Sequence, residues 1–146
     1  MSKIIVSNKK AFFEYEIIEE FIAGIVLVGT EVKSLRKGKT SISEAFCHIL
    51  NGEVFIKQMF ISEYSLIKHT NHNPTRERKL LLNKKEILKL HKGIKEKGFT
   101  IVPLSIFLSD EGFFKIKIAL VRGKKSYDKR ESIRLKDLNR ELNRKS

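Results

Sequence analysis

Short stretches in which apolar and polar residues alternate, an Asn-Gly pair set between two of them, and helical patterning confined to two brief segments predict a mainly β fold. Six or so short strands with small flanking helices imply a closed six-stranded barrel. The pattern also splits the chain in two. Residues 1–122 carry the strand-like alternation and form the folded body, whereas residues 123–146 are charged and too poor in apolar residues to fold alone. At 146 residues the chain is long enough for one domain with a sizeable core.

The first strand signal runs from Tyr15 to Val28, where Tyr15 and Ile17 alternate with Glu14 and Glu16 and Gly24 is expected to bend the run. Gly29-Thr30 then opens a short helix, Glu31–Arg36, which Gly38 can end. Glu44–Leu50 and Glu53–Gln58 flank Asn51-Gly52, a hairpin turn in which both central residues need positive φ. Another strand is expected around Met59–Ile67, followed by the polar segment His69–Arg78 with its Pro74.

Asn83 is an N-cap, and Glu86 three residues on completes a capping box. The helix it starts places Ile87, Leu88, Leu90, His91 and Ile94 on one side and Lys84, Lys85, Lys89, Lys92 and Lys95 around the other, and Gly98 ends it. Thr100–Leu108 and Phe113–Val121 form a second hairpin across Asp110-Glu111-Gly112. Phe114, Ile116, Ile118 and Leu120 should face the core, with Lys115, Lys117 and Ala119 facing away. Of the β-barrels, the OB type is expected, because it commonly binds nucleic acid. After Asp128 a weak helical stripe runs through Ile133, Leu135, Leu138 and Leu142. It has nothing to pack against, so the tail is expected to be disordered in isolation and helical on a partner.

Charge narrows the function. The chain carries +13 with a pI near 9.9, and Arg122–Ser146 holds 10 Lys and Arg against 4 acids. Such a balance selects a polyanion, nucleic acid before an acidic membrane surface. The longest apolar run, Phe21–Val28, falls short of the ~20 residues of a spanning helix, and no secretory signal follows Met1. A single cysteine, Cys47, permits no internal disulfide and fits a buried strand residue in a reducing cytoplasm. The positive charge is segregated: Lys57 is the one basic residue between Thr40 and Ile67, whereas Thr75–Lys97 holds nine. The run Thr75-Arg76-Glu77-Arg78-Lys79 reads as an Arg-rich loop leading into Leu80-Leu81-Leu82. Guanidinium forks and exposed aliphatic groups together suit an irregular RNA surface.

Enzyme chemistry is not legible. His48, His69, His72 and His91 lack metal-site spacing, the pairs Glu19-Glu20 and Asp110-Glu111 diverge within a strand or turn, and no Gly-rich phosphate loop appears. The chain reads as a binder without cofactor or metal. A general OB-fold binder of single-stranded nucleic acid remains an alternative; an RNA-modifying enzyme would need clustered carboxylates or a nucleophile.

Four runs occur in register: Ala23-Gly24-Ile25 leading to Gly29-Thr30-Glu31-Val32-Lys33-Ser34-Leu35-Arg36; Asn73-Pro74-Thr75-Arg76-Glu77-Arg78-Lys79-Leu80-Leu81-Leu82; Gly98 to Leu104; and Gly123-Lys124-Lys125-Ser126-Tyr127-Asp128-Lys129-Arg130. Together, over Asn8 to Arg130, they resemble the SmpB family, the SsrA-binding proteins that partner transfer-messenger RNA (tmRNA) in bacteria. The resemblance implies an OB-fold body that binds the tRNA-like domain of tmRNA and delivers it to stalled ribosomes for trans-translation, in which the nascent peptide is tagged for degradation. It further implies RNA contacts at Lys79, Leu81, Asn83 and Lys115, with Arg76 and Arg78 matching as loop cations. The tail resembles the segment that enters the decoding centre and mRNA channel. Its implied ribosome-binding residues are Lys124, Lys125, Tyr127, Asp128, Lys129, Arg130, Arg134, Lys136 and Arg140. A cytoplasmic monomer is expected. Two positions depart from the family pattern: Ile22 stands where an acidic residue is usual, and Asn73 where Asp is usual, which keeps the turn chemistry but loses a charge. Asn83 serves two readings, N-cap and RNA contact, which are compatible if capping uses one group of its amide. Leu81 could equally be core, yet three successive leucines in a strand cannot all point inward.

Overall fold

The computed structural model describes residues 3–66 and 71–123. In chain order the elements are β1 (Lys3–Ser7), α1 (Lys9–Glu14), β2 (Tyr15–Ile25), α2 (Gly29–Arg36), β3 (Thr40–Ser41), β4 (Phe46–Leu50), β5 (Glu53–Lys57), β6 (Phe60–Ile61), β7 (Arg78–Leu81), α3 (Lys84–Lys97), β8 (Thr100–Leu108) and β9 (Phe114–Gly123). The mainly β expectation holds. Six strands pair antiparallel in the order β8–β4–β5–β7–β2–β9, and β9 pairs back onto β8, so the pairings form a ring. Its weakest seam is β4–β8, joined at Cys47↔Ile101 alone, while β1 covers the rest of that β8 edge. The Asn51-Gly52 turn has positive φ at both residues, 52° and 75°, and sets the β4–β5 register.

Alternation along each strand fills the ring: Phe21 and Ala23 from β2, Val54 and Ile56 from β5, Leu80 from β7, Ile101 and Ile106 from β8, and Ile116 and Ile118 from β9 are all buried. Cys47 is buried among them, and that burial pushes its thiol pKa upward. A smaller cluster lies on the other face of β8 and β9, where Val102, Leu104, Ala119 and Val121 pack with Ala11 of α1. Asn8 anchors that helix: its Oδ1 accepts from the Ala11 N–H at 3.1 Å, and its Nδ2 donates to the Pro103 carbonyl at 2.9 Å. Ala119 therefore faces away from the main core as expected, yet lies under a helix that the sequence pattern did not reveal.

Helix α3 has the predicted cap at each end. Asn83 Oδ1 accepts from the Glu86 N–H at 2.9 Å, Glu86 Oε1 accepts from the Asn83 N–H at 3.0 Å, and left-handed Gly98 (φ 68°) closes the helix. Leu90 and Gly93 are buried and Ile87 and Ile94 pack beside them, whereas Leu88 and His91, assigned to the same side, are exposed. The buried line is set by Gly93, which brings the helix so close to β9 that an added Cβ would lie 2.4 Å from Leu120 Cδ2.

Other expectations are corrected. The strand expected around Met59–Ile67 shrinks to β6, because Gln58 turns the chain at φ 61° and the Ile61 N–H donates to the Pro74 carbonyl, 2.9 Å away. β6 then pairs only with β3. The register shift in β2 falls between Ile17 and Glu19, while Gly24 pairs with Lys115 on one side and Leu81 on the other. Arg78 and Lys79 lie in β7, not in a loop. The tail stripe at Ile133, Leu135, Leu138 and Leu142 lies outside the described residues.

Gly93→Ala is expected to cost about 1–3 kcal/mol through overpacking against Leu120, read as a lower urea midpoint. An unchanged midpoint would mean that α3 does not rest on β9 at that distance.

Candidate nucleic-acid interface

The site is built on a buried ion cluster. Glu31, in the first turn of α2, has no exposed side-chain surface, and neither has Arg78 of β7. Glu31 Oε1 accepts from the Val28 N–H at 2.9 Å and from Arg76 Nη2 at 2.6 Å. Its Oε2 accepts from Arg76 Nε at 3.3 Å and from Arg78 Nε. Arg78 spends its remaining donors on backbone, Nη1 on the Met59 carbonyl at 2.7 Å and Nη2 on the Pro74 carbonyl at 3.2 Å. Burial alone would raise the Glu31 pKa, but hydrogen bonds from Arg76, the Val28 N–H and Arg78 outweigh it and hold the carboxyl below its ordinary value.

Arg78 is thereby corrected as a surface cation: a fully buried guanidinium with three protein partners presents nothing to a ligand. Arg76 is partly buried in the same cluster, its side chain 34% exposed, with Nη2 also donating to the Val26 carbonyl at 3.3 Å. The isolated sequence could not separate these two arginines from Lys79, because the acid that claims them is more than forty residues away.

With Arg78 and Leu80 fixed inward, Lys79 and Leu81 must face outward. Leu81 is 52% exposed, Leu80 is buried, and Leu82 is half-buried, as a strand requires of three successive leucines. Leu81 stands beside Gly24 of β2, and Gly24 stands beside Lys115 of β9. The three make one row across three strands. The approach at Gly24 is close: a Cβ there would sit 3.3 Å from that of Leu81, so Leu81 would have to shift by a few tenths of an ångström. Alongside this row, exposed Ile22 pairs with Lys117, and Lys79 donates to Glu53 at 3.0 Å. Lys115 and Lys117 make no ion pair among the described residues. Asn83 is exposed just past β7 and uses Oδ1 to cap α3, which leaves its Nδ2 donors for another partner. The structure thus brings Leu81 and Lys115 together through Gly24, sets Lys79 and Asn83 at their flank, and withdraws Arg78.

His48 and His72 have separate occupations. His48 Nε2 meets Glu77, and its ring lies 5.7 Å from that of Phe55. Buried His72 donates from Nε2 to the Ile61 carbonyl at 2.9 Å, so Nδ1 accepts from Thr30 Oγ1 at 2.8 Å. Lys124, Lys125, Tyr127, Asp128, Lys129, Arg130, Arg134, Lys136 and Arg140 lie outside the described residues.

A mainly β ring with an outward row of aliphatic and lysine side chains, on a chain of net charge +13, defines a small polyanion-binding protein. The chain belongs to the SmpB family, whose model, described as "SmpB protein", matches residues 5–146. It is 50% identical over 139 residues to the SsrA-binding protein of Phocaeicola vulgatus, covering 95% of this chain and 93% of that one. It is 53% identical over 144 residues to the SsrA-binding protein of Wolbachia pipientis wMel, covering 99% and 97%. A solved structure described as "tmRNA-SmpB: a journey to the center of the bacterial ribosome" superposes with a TM-score of 0.69 at 42% identity, over 82% of this chain and 84% of that one.

Glu31→Gln, which leaves buried arginines uncompensated, is expected to lose about 3–5 kcal/mol of stability. Because the folded pKa of Glu31 is depressed, the unfolded chain binds its proton first as pH falls. The contribution is whole above the ordinary value of 4.5 and disappears as pH drops through the lower folded value. Urea midpoints across that acid range should fall less steeply in Glu31→Gln than in the parent; parallel curves would assign the acid sensitivity elsewhere. Leu81→Ala should cost well under the ~2–5 kcal/mol expected of Leu80→Ala, with thermal melts of the two variants as the comparison.

Proposed function

We infer that this protein binds tmRNA and brings it to stalled ribosomes as the adaptor of trans-translation. The observation that carries this reading is identity near 50% to SsrA-binding proteins along almost the whole chain, joined by likeness to the tmRNA-SmpB structure. The reading is that of an RNA-binding adaptor. We place the tRNA-like domain of tmRNA on the outer row of β7, β2 and β9. Leu81 and the Gly24 surface would cover a ribose or unstacked base, Lys79 and Lys115 would hold phosphates, and the Asn83 amide would donate a hydrogen bond. Arg76 contributes at most its exposed edge, and Arg78 acts from beneath by fixing β7. The strand ring that carries the row is proposed to be an OB-type barrel, which makes residues 1–122 the RNA-holding body.

Residues 123–146 are proposed to act on the ribosome. The strand β9 ends at Gly123, beside Tyr15, where β2 begins and at the other end of that strand from Gly24. A cationic segment leaving from there can reach a second surface while the row keeps its RNA. Ribosomal RNA phosphates in a decoding centre and mRNA channel free of message would neutralise Lys124, Lys125, Lys129, Arg130, Arg134, Lys136 and Arg140, with Tyr127 and Asp128 at the base of the segment.

Binding to tmRNA, unrelated tRNA and oligo-dT at one salt concentration tests the first half: tmRNA should bind tightest, and equal affinity for all three would sink the adaptor reading. Deleting residues 131–146, or replacing Asp128, Lys129 and Arg130 with alanine, should leave tmRNA affinity within about two-fold, because the specific contacts lie in the body. Either change should abolish peptide tagging in a reconstituted translation system. Loss of both activities together would make the tail part of the RNA clamp instead.

A further inference from the structure

Helix α2 turns two unlike faces to its surroundings. Glu31, Ser34 and Leu35 are buried, while Lys33, Arg36, Lys37 and, just past the helix, Lys39 are exposed. The one carboxylate of the helix is spent inside on Arg76 and Arg78, so nothing on α2 balances its outer face. Among the described residues no carboxylate forms a salt bridge with any of these four cations. Lysines on a wet helix face are ordinary. These are held in a less ordinary way: the ammonium groups of Lys33 and Lys37 both lie 5.3 Å from the centroid of the Tyr64 ring. Tyr64 is itself clamped by Asn71, whose Oδ1 accepts from the Tyr64 N–H and whose Nδ2 donates to the Tyr64 carbonyl, each at 2.9 Å. The Tyr64 ring, on a backbone held by Asn71, thus lies beside two ammonium groups one helical turn apart, which repel one another and form no salt bridge among the described residues.

The place of the patch says which anion it meets. α2 follows the end of β2 that carries Gly24, whereas the basic tail departs from the opposite end, beside Tyr15. At about 3.3 Å per residue, the 11 residues of β2 set those two ends roughly 30 Å apart. Between the Leu81–Gly24–Lys115 row and α2 lies Arg76, touching both the Val26 carbonyl and Glu31. The cations of α2 therefore continue the row's positive charge on the side of β2 opposite to Gly123 and Tyr15. They offer charge with little hydrogen-bond selectivity, which suits a backbone rather than bases.

We propose that Lys33 and Lys37 at the Tyr64 ring, with exposed Arg36 and Lys39 next to them in the chain, form a second anchoring patch that grips phosphates of the same tmRNA whose other part lies on Leu81, Asn83 and Lys115. This deepens the proposed function and rests on it. The test is the full-length variant Lys33→Gln, Arg36→Gln, Lys37→Gln, Lys39→Gln, assayed for tmRNA binding over a series of salt concentrations. Its log–log salt slope should fall by about three, and its affinity at physiological salt by about ten-fold or more, since each phosphate contact contributes 0.7–0.9 to the slope. The thermal midpoint should stay that of the parent. A companion with Arg in place of Lys33, Lys37 and Lys39 keeps the charge and should keep the slope, which a merely structural patch would not require. An unchanged slope in the Gln variant overturns the proposal, as does a loss confined to ribosome binding with tmRNA binding intact. Parent protein that binds unrelated tRNA as tightly as tmRNA would sink the functional reading alone, because the slope comparison still decides whether α2 holds an RNA backbone.

Discussion

The carboxylate of Glu31 is the point on which the candidate interface depends. A buried ion pair is costly to desolvate and contributes only when its remaining hydrogen-bonding capacity is met. Here both oxygens are fully engaged, and the donors come from the β2–α2 connection, the segment before β7, and β7 itself. Arg78 then carries the tie onward to the Met59 and Pro74 carbonyls. Three pieces of chain distant in sequence, around Glu31, Met59 and Arg78, are thus fixed by one polar cluster. That fixes the phase of β7. With Arg78 and Leu80 pointing in, a one-residue slip would put an arginine into solvent and Lys79 into the core, so the outward placement of Leu81 is strongly specified.

The same cluster marks where the sequence was legible and where it was not. Signals confined to a few neighbouring residues were readable: the Asn51-Gly52 turn, the Asn83/Glu86 box, and the alternation of Phe114, Ile116 and Ile118 with Lys115 and Lys117. Signals that depend on a distant partner were not. Arg78 looks like a loop cation until Glu31 is brought beside it, and α1 has no visible reason to form until Asn8 reaches the Pro103 carbonyl. Leu88 and His91 fitted a helical stripe, but the contact line of α3 is drawn by Gly93, a residue that periodicity does not score as apolar. Within the candidate site, Lys79, Leu81, Asn83 and Lys115 came from a family resemblance. What the fold adds is their common row and the part Gly24 plays in it.

Placement of charge also explains why an aliphatic row suits this surface. Exposed aromatic side chains exist, among them Phe12, Phe46, Phe60 and Phe113, but they are dispersed over α1, two short strands and the β8–β9 turn. A binder that reads single strands by stacking needs rings in succession along one face. The row at β7, β2 and β9 holds Leu81, a bare glycine and a lysine instead. In the proposed complex such a surface would take the edge of a folded RNA: sugar against Leu81, close backbone approach over Gly24, phosphate at Lys115.

The hiding of one acid has a consequence for the whole molecule. By drawing Glu31 inward, the fold strips the exposed face of α2 of its only carboxylate and leaves four cations there. On β2 the reverse holds near its start, where Glu16 and Glu19 are exposed and pair with Arg122 and Lys89. Among the described residues, acids therefore gather near the start of β2, and cations without a salt bridge lie toward the end that carries Gly24. In the proposed reading a polyanion meets the Gly24 end, while the chain passes beyond Gly123 beside Tyr15, at the other end of β2. The proposed division between an RNA-holding surface and a separate cationic segment rests on where the acids are placed as much as on where the lysines are.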